Sequence, residues 1–182
     1  MTASLLAERK IGDGGLFQVV QGNLLEEPVD AIVNAANGML AHGGGVAGII
    51  ARAAGRKLIE ESEAIVRERS ALPAGSAVVT TAGNLPFKGV IHAIGPRHGE
   101  GDEERKLVGA LRAAFDLASE RRWTSVSFPA VSSGIFAVPL DLCARSYVSA
   151  VLGARLPVIR LCLRDAPVID AVLAELERQR PA

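Results

Sequence analysis

The sequence predicts an α/β fold, a mostly parallel sheet covered by helices on both faces, in one domain over residues 1–182. Three observations carry this expectation. Short apolar runs alternate along the chain with helical hydrophobic patterns, which is how parallel strands joined by crossover helices read. With 182 residues, 49% of them apolar, one domain can bury about 70% of the surface that its unfolded chain exposes. No internal repeat, low-complexity tract or shift of composition marks a second domain.

The elements follow in order. Residues 5–11 read as an edge strand, ended by the turn-forming GDGG at 12–15. Further strands are expected at 16–21, 31–35, 77–81, 90–94, 126–128 and 158–163. Helical patterns fall at 46–54, running into 57–69, then at 103–120, 140–152 and 166–178. In the first of these, Val46, Ile49, Ile50, Ala53 and Ala54 follow the i, i+3, i+4, i+7, i+8 spacing that puts them on one buried face. The polar, glycine-bearing segment 97–104 reads as the most mobile loop, and the final ERQRPA as a fraying helix end.

Charge narrows the function classes. Lys plus Arg and Asp plus Glu balance at 20 each, so no long-range field draws the molecule to nucleic acid or membrane, and an anionic ligand must be caught locally. No apolar run reaches the roughly 18 residues of a membrane span, and residues 1–12 lack the basic start and apolar core of a signal peptide. A cytoplasmic protein is expected, with no membrane partner. Cys143 and Cys162 stand apart from any CxxC or Cys/His cluster, which suggests buried structural thiols and no metal requirement.

The stretch NAANGMLAHGGGVAGII raises the central question. After the strand at 31–35 the chain runs through Gly38 to His42, then Gly43, Gly44 and Gly45, and only then begins a helix. Glycine costs about 1 kcal/mol against alanine in regular structure, so three together need a reason. One is a flexible turn. The other is that bare backbone N–H groups can approach a phosphate at the positive end of a helix. Gly43, Gly45 and Gly48 formally satisfy GxGxxG, but a dinucleotide fingerprint follows its strand directly, and here several residues intervene. The GxxxxGK[ST] pattern of nucleoside triphosphatases is absent. A second loop, SFPAVSSGIFAVPLDLCA at 127–144, repeats the plan of strand, Ser-Ser-Gly turn and helix, with Pro139 near the first turn. In a parallel sheet both loops lie at the carboxyl ends of strands and can face one crevice, holding a diphosphate from two sides. The bland reading of Ser132 and Ser133 is that they cap a turn.

With both loops in view, the sequence resembles the macro domain family, whose members bind ADP-ribose and in many cases hydrolyse its ester linkages. The resemblance covers nearly the whole chain, through VVQGNLLEEPVDAIVNAAN, HGGGVAGII, AAG, GSAVVTTAGNLP, VIHAIGP and SFPAVSSGIF, in the family's order. It implies a three-layer α/β/α sandwich whose central sheet is mixed but mostly parallel, with an antiparallel edge strand. It also implies a site. Gly22, Asn23 and Leu24 would meet adenine, the Asn23 side chain accepting from the exocyclic amine and the Leu24 N–H donating to the ring. The family commonly has aspartate at the position of Asn23. Asn37 would orient the distal ribose, and Asn34 would tie down the loop backbone. Gly43, Gly44, Gly45 and Val46 would face the distal ribose and first phosphate, with Ser132, Ser133, Gly134, Ile135 and Phe136 cradling the diphosphate opposite. Arg164 and Asp165, ending the last strand, would lie beside the adenine, where a guanidinium can stack on a purine.

The resemblance leaves enzyme and binding module both open. One branch of the family has an aspartate after GGGV, where this chain has Ala47. Other branches share HGGGVA and are explained by a ligand phosphate that holds the water while Asn37 orients the sugar, so that catalysis rests on positioning. His42 is the ionisable side chain inside the glycine loop and a candidate for proton transfer, or else a loop brace. His92, behind Val90 and Ile91, reads as structural, and His98 as solvated. The first expectation is a hydrolase acting on mono-ADP-ribosyl glutamate or aspartate of proteins, on O-acetyl-ADP-ribose or on ADP-ribose 1″-phosphate. It needs no cofactor, acts as a monomer, and has ADP-ribose or ADP-ribosylated protein as partner. The alternative is a non-catalytic reader. Binding of RNA or poly(ADP-ribose) through Arg121 and Arg122 is disfavoured by the neutral balance.

Overall fold

The computed structural model describes residues 3–12 and 14–179; Asp13 of the GDGG turn and residues 180–182 of ERQRPA lie outside it. Seven strands form one sheet: β1 (Ser4–Ile11), β2 (Gly15–Gln21), β3 (Ala31–Ala36), β4 (Ala77–Thr80), β5 (Gly89–Ile94), β6 (Ser125–Phe128) and β7 (Val158–Leu163). Among the described residues five helices accompany them: α1 (Gly45–Ala54), α2 (Arg56–Arg69), α3 (Glu103–Glu120), α4 (Leu140–Leu152) and α5 (Ala166–Arg178), with a 3-10 turn at Leu24–Glu26. The strand order is β1-β2-β7-β6-β3-β5-β4. The pairs β2/β7, β7/β6, β6/β3 and β3/β5 are parallel. Both edges are antiparallel, β1 against β2 and β4 against β5, one more than the sequence suggested. Tight connections explain this: the turn around Gly12 and Gly14 (φ +47° and +103°) returns β1 into β2 without room for a crossover.

Alternation along β3 shows how the layers form. Ala31 and Val33 enter the core beneath α3, α4 and α5, while Ile32 packs with Ile50, Ala51 and Ala54 of α1 and Leu58 of α2. Strand β5 repeats the pattern, Ile91 and Ala93 on the larger side and Val90 on the α1 side. Both faces of the central strands are therefore covered, which makes them near-continuous apolar runs. Helices α1 and α2 are separated by Gly55 (φ +84°), where a Cβ would press on the Asn84 side chain.

A polar cluster interrupts the second face where no long helix covers it. The buried Glu27 carboxylate accepts from Arg160 Nε at 2.6 Å and Nη2 at 3.2 Å and from the Ser127 hydroxyl at 3.0 Å, and Arg160 Nη1 donates to Gln18 Oε1 at 2.5 Å. This ties the segment after the 3-10 turn to β6, β7 and β2.

Topology places the site. The chain leaves β3 through α1 and α2 on one face toward the edge strand β4, and leaves β6 through α4 on the other face toward β7. The two connections diverge, so a crevice opens at the carboxyl ends of β3 and β6.

Candidate functional site

A cleft of ≈ 440 Å³ occupies that crevice, a size suited to a nucleotide-like ligand. One wall is the loop from β3 into α1, with Asn37, Gly43, Gly44, Gly45 and Val46; the other is the loop after β6, with Ser132, Ser133, Gly134, Ile135 and Phe136; Asp165 stands at one end.

The glycine wall answers the question that its composition raised. Gly45 has φ +57°, so its glycine is a backbone requirement. Gly44 is extended, with φ −169°, and a Cβ at Gly43 or Gly44 would meet nothing within 4 Å. The fold has room for side chains there, and the sequence leaves it bare. Behind these glycines α1 begins without a side-chain cap or an acidic residue in its first turn. Its first intrahelical bond is Gly48 N–H to the Gly44 carbonyl at 3.0 Å, so the amides of Gly45, Val46 and Ala47 precede the helical ladder and mark an anion-attracting end.

The facing loop is held from behind. Tyr147, buried in α4, donates its hydroxyl to the Val131 carbonyl at 2.6 Å, and the Cys143 thiol lies 3.6 Å from the Val138 carbonyl. Burial pushes that thiol up to about 11 and Cys162 to about 12, so neither is a nucleophile at neutral pH. Ser132 adopts φ +67°, and its Oγ is buried without a hydrogen-bond partner. Gly95 permits this approach, since a Cβ there would collide with Ser132 Oγ. Gly134, like Gly43, has open space where a Cβ would sit. The Ile135 side chain, 80% exposed, leans toward Gly45, whose Cβ position lies 3.9 Å from Ile135 Cδ1.

Several expected residues stand elsewhere. Asn34 is fully buried and off the cleft wall: it lies on the α1 side of β3, and its Nδ2 donates to His92 Nδ1 at 3.0 Å. Tying the loop falls instead to Asn37, whose Oδ1 accepts from Met39 N–H and Ala41 N–H, both at 3.1 Å, while its Nδ2 donates to the Ala41 carbonyl at 3.2 Å. His42 also turns away from the cleft. The Ser62 hydroxyl donates to the Leu58 carbonyl at 2.8 Å, so its oxygen accepts His42 Nε2–H at 3.0 Å. Burial lowers the His42 pKa, and its bond to Ser62 braces the glycine loop on α2. Beside it, at 5.7 Å between centroids, His92 donates from Nε2 to Thr80 Oγ1 at 2.8 Å while the Thr80 hydroxyl donates to the Thr81 carbonyl. These bonds fix a neutral imidazole, and burial with the neighbouring His42 brings its pKa down to about 3.

Gly22, Asn23, Leu24 and Arg164 lie at the carboxyl ends of β2 and β7, outside the enclosed cleft but adjoining Asp165. Asn23 spends its carboxamide locally, accepting from Leu25 N–H at 3.1 Å and donating to Glu26 at 2.8 Å. Arg97 and the small residues Ala35, Ala36, Ala41 and Ala130 are wall residues that the sequence reading did not single out. Arg97 stacks its guanidinium over the Phe136 ring at 4.5 Å; its position shortly after the end of β5 was the available signal. The segment 97–104 is laced rather than loose. Arg97 N–H donates to Glu100 at 2.9 Å, Gly99 N–H to Glu103 at 2.7 Å, and His98 N–H to the Phe136 carbonyl at 2.8 Å. No group of three metal-ligating side chains occurs among the described residues, and no helix there is long and apolar enough to cross a membrane.

Comparison with known proteins agrees with this geometry. The model of the macro domain family matches residues 33–147, from within β3 to within α4, a span that holds both loops. A protein of Escherichia fergusonii named O-acetyl-ADP-ribose deacetylase is 43% identical over 137 residues, covering 74% of this chain and 77% of that protein. A macro domain-containing protein of Listeria monocytogenes is 44% identical over 128 residues, covering 69% and 73%. The solved macrodomain of Oceanobacillus iheyensis with ADP matches with a TM-score of 0.89 at 26% identity, over 98% of this chain and 97% of that one. The Trypanosoma brucei macrodomain in complex with ADP-ribose gives 0.78 at 26% identity, over 88% and 68%. Sequence, topology and the placement of the two loops agree, and the chain belongs to the macro domain family.

Proposed function

We propose that the chain binds ADP-ribose in this cleft and hydrolyses ADP-ribose esters: mono-ADP-ribosyl glutamate or aspartate on proteins, O-acetyl-ADP-ribose or ADP-ribose 1″-phosphate. The observation that carries the reading is the bare glycine wall, open where the fold would admit side chains, over the free amides at the start of α1. The diphosphate lies between these amides and the loop from Ser132 to Phe136, whose buried Ser132 hydroxyl is a donor without a partner. The distal ribose then falls at Asn37 and Phe136, and the adenine at Asp165, whose side chain does not cap α5. Gly22, Leu24 and Arg164 flank that end, and because the Asn23 carboxamide is occupied, the Asp165 carboxylate is the better acceptor for the adenine amine. The name of the Escherichia fergusonii relative supports ester hydrolysis.

Arg97 and Asp165 are the titratable side chains on the cleft wall, so the chemistry rests on position. For the carboxylic esters, a water adds its oxygen to the ester carbonyl and gives one proton to a ligand phosphate; the bond from the carbonyl carbon to the ribose oxygen breaks, the phosphate returns that proton to the ribose oxygen, and the acid formed loses its own proton to solvent as a carboxylate. Holding water and carbonyl in line supplies several kcal/mol without a side-chain base. Ala47, in the first turn of α1, is the observation that favours the second reading, a non-catalytic reader.

The test is ADP-ribose release from a protein mono-ADP-ribosylated on glutamate, with enzyme far below substrate. Multiple turnovers are expected, and Asn37→Ala is expected to lower the rate at least tenfold by releasing the three bonds that shape the loop, each worth about 1 kcal/mol. No release by the parent chain, with ADP-ribose still bound, would make it a reader.

A further inference from the structure

Asn37 and Gly38 form the one Asn-Gly pair among the chain's four asparagines. Gly38 is there by necessity: a Cβ would collide with the Leu72 carbonyl oxygen, and the Gly38 carbonyl accepts Leu72 N–H at 2.8 Å. Its own N–H makes no hydrogen bond among the described residues. Both residues line an open groove of ≈ 680 Å³ beside the cleft, where water reaches them.

The Asn37 carboxamide is oriented for addition at its carbon. Its Oδ1 accepts two backbone N–H groups, those of Met39 and Ala41, both at 3.1 Å, and its Nδ2 donates to the Ala41 carbonyl at 3.2 Å. Two amide donors on one carbonyl oxygen stabilise negative charge that develops there, the arrangement of an oxyanion hole. One new bond, from the Gly38 nitrogen to Asn37 Cγ, closes a five-membered ring.

We propose that Asn37 is a self-modification site, at which the Gly38 amide nitrogen displaces ammonia from the Asn37 side chain with water as co-reactant. Solvent hydroxide takes the Gly38 amide proton. The nitrogen adds to Cγ, the oxyanion rests on the Met39 and Ala41 amides, and Nδ2 takes a proton from water and leaves as ammonia, which restores the hydroxide. Water then opens the cyclic imide. Adding at Cγ, it breaks the bond from Cγ to the Gly38 nitrogen and leaves aspartate; adding at the Asn37 backbone carbonyl carbon, it breaks the other bond to that nitrogen and leaves isoaspartate. In both cases the nitrogen regains its proton.

Either product alters the wall. Aspartate loses the Nδ2 donor and sets a carboxylate oxygen against the Ala41 carbonyl. Isoaspartate carries the main chain through Cγ and lengthens it by one atom ahead of Gly38, whose carbonyl is fixed to Leu72. Both add a negative charge, and on the ADP-ribose reading of the cleft that charge faces an anionic ligand, so the modified chain loses binding.

The test follows the purified chain at mildly alkaline pH by digestion and mass spectrometry, once folded and once in guanidinium chloride. The Asn37 peptide is expected to gain about one dalton and to split into aspartyl and isoaspartyl forms. Conversion is expected to be about tenfold faster in the folded chain, where the two amides are in place. Equal or slower conversion in the folded chain overturns the proposal. The converted form, separated by its added charge, is expected to bind ADP-ribose about tenfold more weakly, and undiminished affinity overturns the loss of binding. A fresh chain that converts as expected but does not bind ADP-ribose overturns the cleft reading alone and leaves the modification standing.

Discussion

His92 shows what a single buried ring does for this fold. Its neutral form donates to Thr80 and accepts from Asn34, and its pKa falls from 6.5 to about 3. The unfolded chain therefore binds a proton in this interval that the folded chain refuses. Stability is full above pH 6.5 and falls as pH drops, by about 1.4 kcal/mol per unit, until the folded value near 3 is reached. His42, lowered by burial, adds to the same loss, whereas carboxylates with lowered pKa such as Asp30 and Glu100 add only below about pH 4.5. Urea midpoints at pH 7, 6 and 5 are expected to decline in the parent chain and to decline less steeply in His92→Gln; equal slopes would exclude His92 as the source. The apolar flanks Val90 and Ile91 made the burial of His92 legible. Its partners were not, because Asn34 comes 58 residues earlier and meets it through strand pairing alone. The same limit explains His42, whose place in a glycine loop suggested chemistry while its direction depends on Ser62 in the next helix.

The start of α1 separates folding from binding. Gly44 is extended and its Cβ position is open, so Gly44→Ala is expected to change stability by under about 1 kcal/mol. The methyl would stand over the amides, and ADP-ribose affinity is expected to fall about tenfold or more, because an anion that cannot reach the N–H groups loses charge-assisted bonds. Gly45→Ala, at φ +57°, is expected to cost about 1 kcal/mol of stability as well. Thermal melts and calorimetry on the two variants check both statements; a Gly44→Ala protein with native affinity would remove the bare wall as the basis of binding. Helices and central strands were legible because period and composition agree within each. The edges were less so. Strand β4 is antiparallel to β5 because only the short segment 81–88 joins them, a constraint of connection length and not of residue pattern.

Across the molecule, Glu27 and Arg160 join segments 133 residues apart. Their carboxylate and guanidinium meet within the sheet face, Glu27 with a fully buried side chain, where breaking one partner leaves the other charge unpaired. Glu27→Ala is expected to destabilise by about 3–5 kcal/mol, while Glu27→Leu combined with Arg160→Leu is expected to recover most of that loss; guanidinium chloride melts of the single and double variants measure the difference. Nothing in the sequence pairs these residues, which come 133 positions apart with no local pattern linking them. The crevice itself was legible from the order of its two glycine-bearing loops, because strands running in parallel bring their carboxyl ends to one edge. Its far ends were not: Arg97 arrives from the neighbouring β5, and Asn23 is withdrawn into its own turn.

The hydroxyl of Tyr147 reaches the Val131 carbonyl from the interior of α4, and this contact bears on selectivity. A loop fastened from inside cannot swing aside for a bulkier guest, so the outline that a ligand meets is inherited from core packing. Relatives with identical cleft walls can then admit different guests when their α4 interiors differ. Within this chain, Tyr147→Phe removes a bond to the cleft-lining Val131 from a position off the wall, and is expected to change that outline.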